Sequence, residues 1–136
     1  MSNAMPKEVD WELVEEKLNN IRGALMDIEE RFREVPDVEY FRSKAGRERR
    51  DGICMLFVAV GESFKQIDDL TNRAFLPRYP EINRRKLIGF RNIIAHDYFG
   101  VDEDMLFRNC QTHLPLLLAT VNRMIEDLEK NHANPY

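Results

Sequence analysis

The chain has 136 residues, 43% of them hydrophobic and 32% charged, which suits one compact domain with its own core and leaves too little for two. No run approaches the roughly 18 to 20 consecutive apolar residues of a membrane-spanning helix, and the N-terminus lacks a charged-then-apolar leader, so a cytoplasmic protein without membrane contact is expected. The formal net charge of −4 argues against nucleic acid only on average, because the ends are acidic while the middle is basic.

Met1 to Ala4 read as an expression scar, with Ser-Asn-Ala between two methionines, so the single domain is taken as 5–136. In the first segment Val14, Leu18, Ile21, Leu25, Ile28, Phe32 and Val35 recur at alternating spacings of four and three, the repeat of an amphipathic helix. Asp10 is its N-cap and Pro36 its stop, which predicts a helix from about Trp11 to Val35. A short connection over residues 37–45 follows, and Gly46 and Gly52 blur the start of the next element. From about Arg49, the positions Ile53, Leu56, Phe57, Val60, Phe64, Ile67 and Leu70 predict a second long helix that ends before Pro77 and Pro80.

Pro80 suits a first helical position, and Ile82, Leu87, Phe90 and Ile94 define a third helix running to about His96. Gly100 breaks it and Asp102 caps a fourth, whose stripe is Leu106, Cys110, Leu114, Leu117, Val121, Ile125 and Leu128. Pro115 inside that stripe predicts a kink. No segment alternates with period two, so the expected fold is all-α: an antiparallel, up-and-down bundle of four main helices, with a short fifth allowed. The long stripes of the first and fourth helices are wide enough to serve a homodimer seam as well as the core.

Chemistry concentrates in Arg91-Asn92-Ile93-Ile94-Ala95-His96-Asp97-Tyr98-Phe99, at the end of the third helix. Arg91 and His96 are five positions apart, which separates them by about 140° around the axis and roughly 7.5 Å along it. Asn92 and His96 share a face, so the amide is placed to orient the imidazole. Read alone, an Arg and a His at a helix end serve as well to neutralise the dipole and cap carbonyls, and Tyr98 and Phe99 serve as core or interface aromatics. Two basic runs precede the motif. One holds Arg42, Lys44, Arg47, Arg49 and Arg50; the other holds Arg73, Arg78, Arg84, Arg85, Lys86 and Arg91. Each reads as a solvated face or as attraction for a phosphate backbone, the latter centred on Arg84, Arg85 and Lys86.

The order Arg91, four residues, His96, one residue, Tyr98 resembles the motif of HepT-type toxins of the HEPN superfamily, which Arg-Asn commonly opens. Val60-Gly61-Glu62 resembles the apolar-Gly-Glu step of that family's second helix, and His113-Leu114-Pro115 resembles its Leu-Pro step, so the likeness spans about Asp10 to Leu128. One departure is Pro80-Glu81-Ile82-Asn83, where family members often carry Pro-x-x-Trp. The resemblance implies a metal-independent endoribonuclease that cuts RNA by attack of a ribose 2′-hydroxyl on the adjacent phosphate. In that chemistry His96 exchanges protons and Arg91 holds phosphate oxygens, with Asn92 in support. Glu62 reads equally as a supporting carboxylate that points to the site from the second helix and as an exposed or N-terminally paired glutamate. The resemblance further implies a site composed at a homodimer interface, and a minimal nucleotidyltransferase antitoxin that moves AMP from ATP onto Tyr98 as an off switch.

Other candidates carry less. Cys110 and His113 have two-ligand spacing but no complementary cluster, so no metal is expected. Asp102-Glu103-Asp104 suits a helix start. No Gly-rich phosphate loop is present, so neither ATP binding by this chain nor any cofactor is expected. Cys54 and Cys110 sit in apolar stretches, where thiols behave as small hydrophobes. The competing functions are a non-catalytic helical partner and substrate of a nucleotidyltransferase, and a plain dimeric helical scaffold.

Overall fold

The computed structural model describes residues 8–133, so the tag segment 1–4 lies outside the described residues. Helix α1 (Trp11–Phe32) starts where the Asp10 carboxylate accepts the Leu13 N–H at 3.1 Å. It ends three residues before Val35. The residue before a proline is pushed out of the helical region, and the chain unwinds ahead of Pro36 while Val35 still reaches the core. Helix α2 (Lys44–Leu70) begins earlier than expected, because Ser43 accepts the Gly46 N–H at 3.0 Å and caps it. Gly46 is required there: a β-carbon on it would stand 1.5 Å from the Tyr40 carbonyl oxygen.

Helix α3 (Arg84–His96) starts four residues after Pro80, since Asn83 accepts the Lys86 N–H at 3.0 Å and is the better cap. Helix α4 (Glu103–Arg108), capped by Asp102, runs through a π-helical turn, Asn109–His113, straight into α5 (Leu114–Ala133). Pro115 lacks an N–H, and its ring crowds the preceding turn. Here the helix admits the proline by widening that turn instead of breaking. Among the described residues there are helices and no strands.

The helices run up, down, up and down. Trp11 meets Phe75 at one end of the bundle, with ring centroids 5.6 Å apart, and at the other end Phe32 meets Phe107 at 5.1 Å. The Tyr79 hydroxyl reaches Asp127 near the end of α5, at the Trp11 end. The core joins the stripes read from the sequence, among them Leu18, Leu25 and Ile28 of α1, Ile53, Phe64 and Ile67 of α2, and Val121, Ile125 and Leu128 of α5, to residues outside them such as Phe41, Phe75 and Met124. The stripe residues of α1 and α5 pack mainly inside one chain. Among the described residues, the large apolar side chains left uncovered are Met26 on α1, Met55 on α2, Ile93 on α3, Phe99 just beyond it, Met105 on α4 and Leu116 on α5. No described helix is long and apolar enough to cross a membrane.

Both thiols are buried and free. Burial pushes Cys54 up to about 11 and Cys110 up to about 12 from an ordinary 9.0. The fold thus favours the neutral thiols, so this contribution to stability is complete below pH 9 and is lost as pH rises toward those values. A thiol-specific disulfide reagent at pH 8 is expected to modify neither cysteine in the native protein and both after denaturation. Rapid native reaction would show that the core opens at this point.

Candidate functional site

The site is built on the α2–α3 hairpin, whose two helices approach closely at one level, where α2 offers no side chain. A β-carbon at Gly61 would stand 2.5 Å from the Arg91 Cβ and 3.3 Å from the Leu87 carbonyl oxygen. Below that level the Asp68 carboxylate, almost fully buried, pairs with Arg84. Above it Phe57 meets Phe90 edge-on at 5.3 Å, and Tyr98 reaches the start of α2. The contacts descend α2 as they ascend α3, which fixes the pair as antiparallel.

Arg91 lies against α2, its side chain 26% exposed. Its Nη2 stands 3.0 Å from Glu62 Oε2, and its Nη1 donates to Asn92 Oδ1 at 2.8 Å. The Glu62 contact is close but poorly aligned as a hydrogen bond, and Glu62 Oε2 and Arg91 Nε are buried without aligned partners among the described residues. Asn92 is therefore engaged by Arg91, not by His96. At 100° per residue His96 sits roughly 180° around α3 from the core-facing Leu87. It is exposed, and among the described residues it has no hydrogen-bond or ionic partner.

Tyr98 occupies the short 3₁₀ turn Tyr98–Gly100. Its hydroxyl donates to the Asp51 carboxylate, and the Arg50 guanidinium lies over its ring, 5.2 Å from the centroid. Gly61 and Asp51 are ten residues apart, so Arg91 and Tyr98 meet α2 roughly 15 Å apart along its axis. Arg91 and Tyr98 each have partners on α2, His96 faces outward, and one chain does not bring the three together in a common hollow.

The first basic run is largely consumed by acids. Arg42 pairs with Glu39, Arg49 with Glu34 at 2.8 Å, and Arg50 with Glu103 at 2.6 Å. In the second run Arg84 is held by Asp68, whereas Arg85 and Lys86 are exposed at the opposite end of α3 from His96. His113 shares a contact of 2.9 Å with Asn109 across the π turn, and among the described residues no group of three or more His, Cys, Asp or Glu is placed to hold a metal ion. Asp51 and Arg50 were not legible as site residues. Arg50 stands within a charge run, Asp51 at its edge, and only the fold carries them 47 positions along the sequence to Tyr98.

An all-helical bundle that displays Arg91 and His96 on one edge helix and Tyr98 in the turn just beyond it defines the class. Residues 21–124 match the family described as "Ribonuclease HepT-like". The chain belongs to that family. Among curated proteins of Methanocaldococcus jannaschii, it is 26% identical over 119 residues to "Gamma-glutamylcyclotransferase and putative RNase MJ0434", covering 88% of this chain but only 50% of that protein. It is 25% identical over 106 residues to "Putative RNase MJ1380", covering 75% of this chain and 94% of that protein. The chain thus spans half of the first relative and nearly all of the second. No solved structure matches it.

Because Arg91 rests on Gly61, substituting Gly61→Ala is expected to lower stability by about 1–3 kcal/mol through overpacking. Urea denaturation measures this. An unchanged midpoint would mean that α2 and α3 have room to part.

Proposed function

We propose that this chain is a metal-independent endoribonuclease of toxin type that cleaves RNA by attack of a ribose 2′-hydroxyl on the adjacent phosphate. The observation that carries the reading is His96: a partnerless, solvent-facing imidazole on a helix whose other flank holds a guanidinium. An imidazole titrates near neutral pH and serves as general acid or base, and a guanidinium matches two phosphate oxygens. Membership of the HepT-like ribonuclease family supports it.

In this proposal the working site is shared between two copies of the chain. Arg91 and His96 point to different sides of α3, and the uncovered Ile93, one turn before His96, and Phe99, just after it, put apolar surface beside the imidazole that a second copy would cover. A cleft formed by Arg91 of one copy and His96 of the other removes the angular separation. Arg85 and Lys86 attract the RNA backbone without reading bases.

Purified protein with EDTA is expected to cleave RNA, and His96→Ala and Arg91→Ala to lose about 10²–10⁴-fold in rate. Mixed dimers of the two variants contain one intact cleft and should regain activity. Cleavage unaffected by either change, or none by the wild type, sinks the catalytic reading, and a mixture as inactive as its parents sinks the shared cleft.

Tyr98 is proposed as the acceptor of AMP transferred from ATP by a nucleotidyltransferase antitoxin, which places a phosphate beside the motif and excludes RNA. Its support is the partly buried phenol held between Asp51 and Arg50. After incubation with a cognate transferase and Mg-ATP, intact mass should rise by AMP increments in the wild type and not in Tyr98→Phe. A rise that survives the substitution puts the acceptor elsewhere.

A further inference from the structure

Among the described residues two tyrosines donate a hydrogen bond to a carboxylate, and the two pairs differ in surroundings. Tyr79 is buried, its hydroxyl 2.7 Å from Asp127, and burial together with that hydrogen bond pushes the phenol up to about 12. This pair ties the segment after α2 to α5. The Tyr98 ring is partly buried, at the tip of the motif, but its hydrogen bond to Asp51 is exposed and Asp51 itself is 59% exposed. A surface phenol needs no protein acceptor, because water satisfies it. This contact therefore adds little to folding and calls for another account.

We propose that Asp51 is the proton acceptor that makes Tyr98 a nucleophile toward a phosphoryl donor, an inference that rests on the reading of Tyr98 as an AMP acceptor. An ordinary phenol, with a pKa of about 10, is protonated at neutral pH and must shed its proton as it attacks. In the transfer the Tyr98 oxygen forms a bond to the α-phosphorus of ATP, the bond from that phosphorus to the bridging oxygen breaks, and pyrophosphate leaves. The phenolic proton passes to Asp51 and from there to solvent. Arg50, stacked over the ring, offsets the negative charge that gathers on the oxygen. It is itself fixed by Glu103 of α4 at 2.6 Å and lies 3.7 Å from Asp51 Oδ1 through its Nε. The charged groups around the phenol are thus Arg50 and Asp51 from α2, Glu103 from α4 and, on its own turn, Asp97, whose carboxylate folds against Gly100.

The test uses adenosine 5′-phosphorimidazolide, a chemical AMP donor that needs no transferase, and maps labelled peptides by mass spectrometry from pH 6 to pH 9. In the wild type, Tyr98 is expected to label ahead of Tyr40 and Tyr79, at a rate nearly independent of pH. Asp51→Asn keeps an acceptor for the hydrogen bond but cannot hold the proton. Its Tyr98 labelling should fall roughly 10²-fold near pH 7 and regain about tenfold per pH unit as phenolate forms. Asp51→Glu should recover most of the loss. Wild-type rates in Asp51→Asn overturn the proposal, and so does a loss uniform across pH, which would make Asp51 a positioning residue only. If Tyr98 reacts in this Asp51-dependent way yet gains no AMP from a transferase, the acceptor reading fails and the dyad stands.

Discussion

The missing side chain at Gly61 is the constraint on which the edge of this bundle depends. Where most helix pairs are held apart by interdigitating side chains, α2 here offers bare backbone, and the first carbons of Arg91 rest directly on it. That contact sets the level of α3 along α2. From it follow the Asp68–Arg84 pair at one end and the Tyr98–Asp51 pair at the other. A residue whose only property is smallness thus determines where an imidazole, a guanidinium and a phenol stand.

The hairpin also separates two tasks that the sequence places in one short stretch. The flank of α3 that carries Arg91 is committed to its own subunit, through Glu62 and Asn92. Among the described residues His96, on the other flank, has no hydrogen-bond or ionic partner. Arg84, Arg85 and Lys86 likewise look alike in sequence, but Arg84 is neutralised by a buried carboxylate, and its two neighbours remain free to act at long range. Removing Arg84 would leave Asp68 buried and unpaired, which costs far more than losing a surface charge.

Much of the fold was legible. The apolar stripes of all four main helices predicted most of the core, because burial on one face of a helix has a period that the sequence records directly, whereas Phe41, Phe75, Leu76 and Val101 enter it from the connections, where no period marks them. The ends of the helices were less so. Ser43 and Asn83 outcompeted the expected starts, since capping depends on which side chain reaches a free N–H, a local geometric contest that periodicity does not see. At the site, the residues of the motif were legible and their partners were not. Glu62 was recognised from its glycine neighbour, whereas Asp51 lies beside a run of arginines that reads as solvated surface. Most of that run proved to be spoken for by acids scattered over three other segments, Glu34, Glu39 and Glu103, an arrangement no local pattern announces.

The π turn at Asn109–His113 has an effect that reaches well beyond Pro115. A widened turn carries one more residue around the same full circle, so it admits an extra residue without rotating what lies upstream against what lies downstream. Tightening it to a regular α turn with no residue removed would rotate α4 about 100° against α5. Glu103 would swing off Arg50, and the brace on the Tyr98 ring would be lost. A change of winding far from the motif would in this way disarm it, while every residue of the motif remained in place.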